Sequence, residues 1–148
     1  MREGVVAAEN IFGRAVRMDY TSTPGCVYTS PEMAWVGQTE EEARQGGRSI
    51  RTGIFPLIGN AKSLILGETQ GMIKIVADEK YGEILGVHIV GPRATDLIAE
   101  GALALKLEAT LEEVATTIHA HPTVGEAMAE AAHAGLGTAL HIPPGRKR

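Results

Sequence analysis

The spacing of apolar residues along the chain changes near Gly91-Pro92. Ahead of that point lie short runs rich in Val and Ile, the composition of strands. Beyond it, apolar positions recur at intervals of three and four, the period of a buried helix face. Cys26 to Thr29 reads as a short extended piece after a Pro24-Gly25 turn, and Ser30-Pro31 separates it from a second strand, Glu32 to Val36. "SIRTGIFPL" and "AKSLIL" read as further strands, and "GMIKIVAD" and "GEILGVHIV" as the arms of a hairpin joined by "DEKYG".

The helical readings have their own punctuation. "REGVVAAENIFGRAV" is a helix with Val5, Val6 and Ile11 as contacts and Gly13 to end it. Thr39-x-x-Glu42 is a capping box, with Gly46-Gly47 closing the short helix that follows. Ala94, Leu97, Ile98, Gly101, Ala102 and Leu105 share one face of a longer helix, and Thr110-x-x-Glu113 opens another. A last helix begins at Thr123 and buries Val124, Ala127, Met128 and Ala131. A strand block followed by a helix block predicts an α+β domain: an antiparallel sheet of about four to five strands packed with helices.

Composition narrows the function classes. A chain of 148 residues suits one domain with a real core. Its net charge of -4 supplies no cationic field for nucleic acid or an anionic membrane. No apolar run approaches the roughly 18–20 residues of a bilayer span, and "MREGVVAAEN" lacks the apolar segment of a secretory signal, so a cytoplasmic setting is the expectation. Cys26 is the single cysteine, which rules out an internal disulfide.

The chemistry concentrates in "TIHAHPTVGEAMAEAA", Thr117 to Ala132. His121 precedes a proline, which pushes its backbone out of the helical region, and Glu126 lies close enough to reach back to the ring. An oriented His-carboxylate pair is what general acid-base chemistry needs. Thr123-x-x-Glu126 is also a capping box, so the same glutamate has a purely structural use. The wider set His88, His119, His121, His133 and His141 raises a metal reading, because His119 and His121 alternate on an extended segment, but no cysteine or carboxylate cluster completes a site at typical spacing, and no metal is assigned. Spacing alone leaves catalysis and capping both open.

"VYTSPEMAWVGQTEEEA", "ILGETQGMIKIVAD" and "LGVHIVGPRATDLIAEGALALKLEATLEEVATTIHAHPTVGEAMAEAA" resemble the C-terminal interface domain of the flavin disulfide reductases, in the dihydrolipoamide dehydrogenase branch. The resemblance runs from about Gly4 to Ile142 and implies three parts. Residues 1–22 would be the remnant of the flavin-domain C-terminal helix and its connection, 23–142 the dimerisation domain, and 143–148 a basic tail. It further implies that His121 and Glu126 are the catalytic acid-base pair, acting in trans across a homodimer, and that backbone at His121-Pro122 approaches the partner's flavin. FAD and NAD would be cofactors of the full-length enzyme, and the lipoyl components of 2-oxoacid dehydrogenase complexes its partners. The upstream flavin domain, nicotinamide domain and redox disulfide are not in this sequence. The isolated chain is therefore expected to be inactive and to bind no cofactor, with a non-catalytic self-association or docking module as the alternative.

Overall fold

The computed structural model describes residues 1–142, so the basic tail expected at 143–148 lies outside the described residues. Five strands, β1 (Gly25–Val27), β2 (Glu32–Gly37), β3 (Ile50–Pro56), β4 (Met72–Asp78) and β5 (Ile84–Gly91), form one sheet in the order β1-β2-β5-β4-β3. Every neighbouring pair is antiparallel, which is the α+β sheet the sequence leads one to expect. β1 stops two residues short of the expected Thr29. The Thr29 hydroxyl donates to the carbonyl of Pro31 at 2.7 Å and turns the chain ahead of a cis Ser30–Pro31 bond.

Six helices accompany the sheet: α1 (Arg2–Ile11), α2 (Glu40–Gln45), α3 (Ala61–Leu66), α4 (Ala94–Lys106), α5 (Leu111–Thr116) and α6 (Glu126–Leu136). The capping boxes at Thr39/Glu42 and Thr110/Glu113 are both formed. One reading is corrected: "AKSLIL" is the helix α3, not a strand. Its six apolar-rich residues fit either period, and the decision lies at the ends. Asn60 accepts from the Ser63 amide at 2.9 Å and starts the helix, and Gly67 at φ 72° ends it in the left-handed region. Of the three contacts expected in α1, Val6 is buried while Val5 and Ile11 are exposed.

The main core lies between one face of the sheet and α4, α5 and α6. Ile73, Ile75, Val87 and Ile89 from the central strands meet Ile98, Leu111, Met128 and Ala131 from the helices. Val124, Ala127, Met128 and Ala131 are all buried, as the period predicts. On α4, Ala94, Ile98 and Gly101 are buried, and Leu97, Ala102 and Leu105 pack half-buried against the same cluster. α6 lies so close to β3 that a Cβ built on Gly53 would stand 1.9 Å from the carbonyl oxygen of Ala131 and 2.6 Å from the amide nitrogen of Gly135. Small residues on both sides let backbone meet backbone, and this sets the depth at which α6, with its glutamates, sits.

The opposite face of the sheet is only partly covered. α2 closes a small cluster of Ala43, Val76 and Leu85. Elsewhere Trp35, His88, Lys74 and Ile54 stand side by side across β2, β5, β4 and β3, with Trp35 and Ile54 exposed.

Candidate active site at the His121 loop

Residues 117–125 join α5 to α6 and cross the open end of the helix layer. Several contacts from different elements hold this connection. The Thr117 hydroxyl donates to the carbonyl of Glu113 at 2.7 Å, and the Thr123 hydroxyl donates to that of Ala120 at 2.7 Å. Asn60, nearly fully buried, uses its amide group to donate to the Thr123 carbonyl at 3.0 Å while its oxygen caps α3. The His121–Pro122 bond is cis. Because Thr123 spends its hydroxyl on Ala120, it does not cap the helix, and α6 begins at Glu126 instead.

Glu126 reaches both groups that the sequence places near it, one with each oxygen. Oε1 pairs with Nδ1 of His121 at 2.9 Å, and Oε2 accepts the Thr123 backbone N–H at 2.9 Å. Burial pushes the Glu126 carboxyl up, but the Thr123 N–H, the His121 contact and the nearby charges of His121 and His119 outweigh it and hold the group below the usual range. An ionised Glu126 requires His121 to carry its proton on Nδ1, which leaves Nε2 as the free base. The His121 side chain is 72% exposed, against 28% for Glu126. The pair therefore joins a half-buried, doubly bonded carboxylate to a ring that is largely open to solvent.

His119 differs from its neighbour. Its side chain is 10% exposed, Nδ1 lies 2.9 Å from the Thr117 carbonyl oxygen, and Nε2 lies 2.9 Å from Oε1 of Glu100 on α4. His119 and His121 do face one hollow of about 430 Å³, which His133 and His141 also line. Each ring is committed to its own acceptor, and among the described residues no group of three or more His, Cys, Asp or Glu side chains is placed to hold a metal ion. His88 lies on the opposite face of the sheet with Nε2 3.1 Å from the Gln38 carbonyl, outside the site.

Four members of this region were not placed in it by sequence reasoning: Asn60, Glu100, Glu130, and His141, which entered only the metal reading. Glu130, one helical turn beyond Glu126, is 7% exposed and accepts the backbone N–H groups of Leu140 and His141 at 3.1 and 3.2 Å. Its other oxygen meets Nδ1 of His141 at 2.9 Å, so a second His-Glu pair stands over the same hollow. All four act through partners distant in sequence, and no local spacing could announce them.

Two large apolar side chains that line the hollow, Leu64 and Leu140, are exposed, and so are Ile58 and Ile118, each next in the chain to a lining residue, with Ile118 almost wholly open to solvent. Exposed apolar side chains grouped beside polar ones are the mark of an interaction surface.

Known proteins fit this description. Over 141 residues the chain is 48% identical to the dihydrolipoyl dehydrogenase of Bacillus subtilis, covering 95% of this chain and 30% of that protein. It is 47% identical over 142 residues to that of Thermus scotoductus, covering 96% and 31%. The chain thus spans about a third of the length of these relatives. Among solved structures it superposes on LpdA from Mycobacterium tuberculosis with a TM-score of 0.81 and 28% identity, covering 89% of this chain and 29% of that one. The fold also matches the HOCl-induced flavoprotein disulfide reductase RclA from Escherichia coli, with a TM-score of 0.80, 22% identity, and coverage of 86% and 30%. The family model for the pyridine nucleotide-disulphide oxidoreductase dimerisation domain matches residues 23–132, the whole five-stranded sheet and most of its helices, and it is to this family that the chain belongs.

Proposed function

We propose that this chain is the interface domain of a dihydrolipoyl dehydrogenase, in which His121 and Glu126 serve a partner subunit's active site as the acid-base pair for dihydrolipoamide oxidation with NAD reduction. The observation that carries the reading is the polarity of the pair: Nδ1 of His121 is held on Glu126 at 2.9 Å while the ring itself is largely exposed. Nε2 takes a proton from a dihydrolipoamide thiol, and Glu126 stabilises the imidazolium that results. The thiolate so formed attacks a disulfide, which must come from outside this sequence because Cys26 is its only cysteine. The same imidazolium then returns its proton to the thiolate released by that exchange.

FAD and NAD supply the electron transfer in the full-length enzyme. The described residues suit only an edge contact with a flavin, through the exposed His121–Pro122 turn, because every strand pairing is antiparallel and the one glycine turn from a strand into a long helix, Gly91-Pro92-Arg93, lacks the G-x-G-x-x-G spacing of a dinucleotide site. We place the parent protein in the cytoplasm, as a homodimer working with lipoyl-bearing components, with residues 1–22 belonging to the connection from the flavin domain.

The test is a full-length dihydrolipoyl dehydrogenase, such as that of Bacillus subtilis, with this domain grafted in place of its own. His121→Gln should leave flavin content unchanged and lower dihydrolipoamide turnover by about 10²–10⁴-fold. Turnover within about threefold of the unmutated graft, well inside the contribution expected of a general base, removes His121 from the mechanism.

The exposed rim of Ile58, Leu64, Ile118 and Leu140 supports a second reading, self-association of the chain as it stands. Sedimentation of the 148-residue chain decides it: a monomer at every concentration rejects self-association, and a dimer lost in Ile118→Asp supports it.

A further inference from the structure

Glu130 is the one buried carboxylate among the described residues, and both of its oxygens are engaged. Oε2 accepts the backbone N–H groups of Leu140 and His141 at 3.1 and 3.2 Å, and Oε1 lies 2.9 Å from Nδ1 of His141. Burial of a carboxylate is costly unless hydrogen bonds offset the lost water. Here all three contacts come from the segment that follows α6.

That segment takes a defined path. Gly137, at φ 77°, ends α6, and the Thr138 N–H donates to the His133 carbonyl at 2.8 Å, so the chain turns back on the helix. It then passes the Leu57–Gly59 turn that follows β3, where a Cβ built on Gly59 would stand 3.1 Å from the His141 carbonyl oxygen. Ile142 packs half-buried against the main core. Between these two ends, Leu140 and His141 line the hollow that His121 and Glu126 also line, with Leu140 76% exposed. The segment is a wall of that hollow, and Glu130 is the clamp that holds it there.

We infer that Glu130 is a positioning residue: it fixes residues 138–142 beside His121, so that Leu140 presents an apolar surface to the hydrocarbon part of a substrate whose thiol reaches that histidine. With both oxygens engaged, Glu130 acts on the substrate only through this wall. The inference rests on the acid-base reading of His121, but it concerns substrate binding and not proton transfer, so the two fail separately. Full turnover in His121→Gln removes the base without touching the effect of the wall on KM. A wall without effect on KM leaves the acid-base pair standing.

The first measurement is amide hydrogen exchange in the 148-residue chain. The amides of Leu140 and His141 should be protected. Glu130→Ala, which places a strong helix former inside α6, should speed the exchange of both by about tenfold or more, the scale of a hydrogen bond to a charged group, while amides of β4 and β5 keep their rates. Glu130→Gln keeps one oxygen for both N–H groups and turns its NH₂ to Nδ1 of His141, so it should retain most of the protection. The second measurement is steady-state kinetics with dihydrolipoamide in the grafted enzyme. Glu130→Ala should raise KM about tenfold with kcat within about twofold, the mark of lost binding rather than lost chemistry. Leu140→Ala, at an exposed position, should raise KM about fivefold while the clamp's protection stays in place. Unprotected amides at Leu140 and His141, exchange that rises equally in β4 and β5, a KM unmoved by either alanine variant, or a kcat that falls as far as KM rises would each overturn the inference.

Discussion

Glu126 binds His121 through one carboxylate oxygen and the Thr123 backbone N–H through the other, at 2.9 Å in each case. The residue that orients the ring is also the residue that closes the turn into α6. Glu126→Gln keeps both contacts only by accepting the Thr123 N–H with its oxygen and donating its NH₂ to Nδ1, which moves the His121 proton to Nε2. Exchange of two bonds to a carboxylate for two bonds to a neutral amide should cost about 1 kcal/mol of stability, and equilibrium urea unfolding at neutral pH measures it.

The same residue gives the fold a pH dependence of defined sign. Its carboxyl is held below the usual range in the folded state, so its contribution is complete above the unfolded value of 4.5 and fades as pH falls through the lower folded value. Glu126→Gln should therefore flatten the acid side of the stability profile. The check is the urea midpoint at successive pH values from neutrality downward, and parallel profiles for the two proteins would show that Glu126 makes no such contribution.

Asp19 shows the effect at an exposed position. It accepts from the Thr21 hydroxyl and amide at 2.6 and 3.0 Å and from Lys106 at 3.2 Å, and these contacts lower its carboxyl from 3.8 to about 2. The turn that they close persists above pH 3.8 and loosens as pH falls toward 2. The amide resonance of Thr21 should titrate with a midpoint near 2 and lose that transition in Asp19→Asn.

Gly53→Ala should be among the most damaging single changes, at about 3 kcal/mol or more, the upper range for overpacking. The added methyl meets backbone of α6 at 1.9 Å, and no side chain lies between to move aside. The helix itself must shift, and Glu126 and Glu130 shift with it. Thermal unfolding measures the loss, and the His121 ring shifts should change in whatever fraction stays folded.

Gly125→Ala should act in the opposite direction. Gly125 has φ -58° and ψ -29°, which alanine adopts without strain, and a Cβ there would touch Thr123, His119 and Leu97 at 3.6 to 3.8 Å, ordinary contact distances. A gain of about 0.4–1 kcal/mol follows from the reduced freedom of the unfolded chain. A raised urea midpoint with an unchanged slope is the expected result.

The sequence carried most of the sheet and the heart of the site in local signals. The capping boxes at Thr39 and Thr110, the hairpin and the apolar face of α6 depend on residues within a few positions of one another, and each is formed, whereas the box expected at Thr123 is not. α3 was misread because its apolar run has no decisive period and its start depends on Asn60, whose other contact, Thr123, lies 63 residues away. The support around His121 was hidden for the same reason. Glu100 is 19 residues from His119, and Glu130 is 11 from His141, distances that only the packing of α4, α6 and the C-terminal segment closes. Glu126 was legible because pairing partner and helix start fall within five residues.

The convergence of Leu140 N–H, His141 N–H and the His141 ring on Glu130 has a practical side for anyone handling this protein. It holds Leu140 and His141 against the hollow that His121 lines, so a spectroscopic label placed at either residue would report directly on events in that hollow.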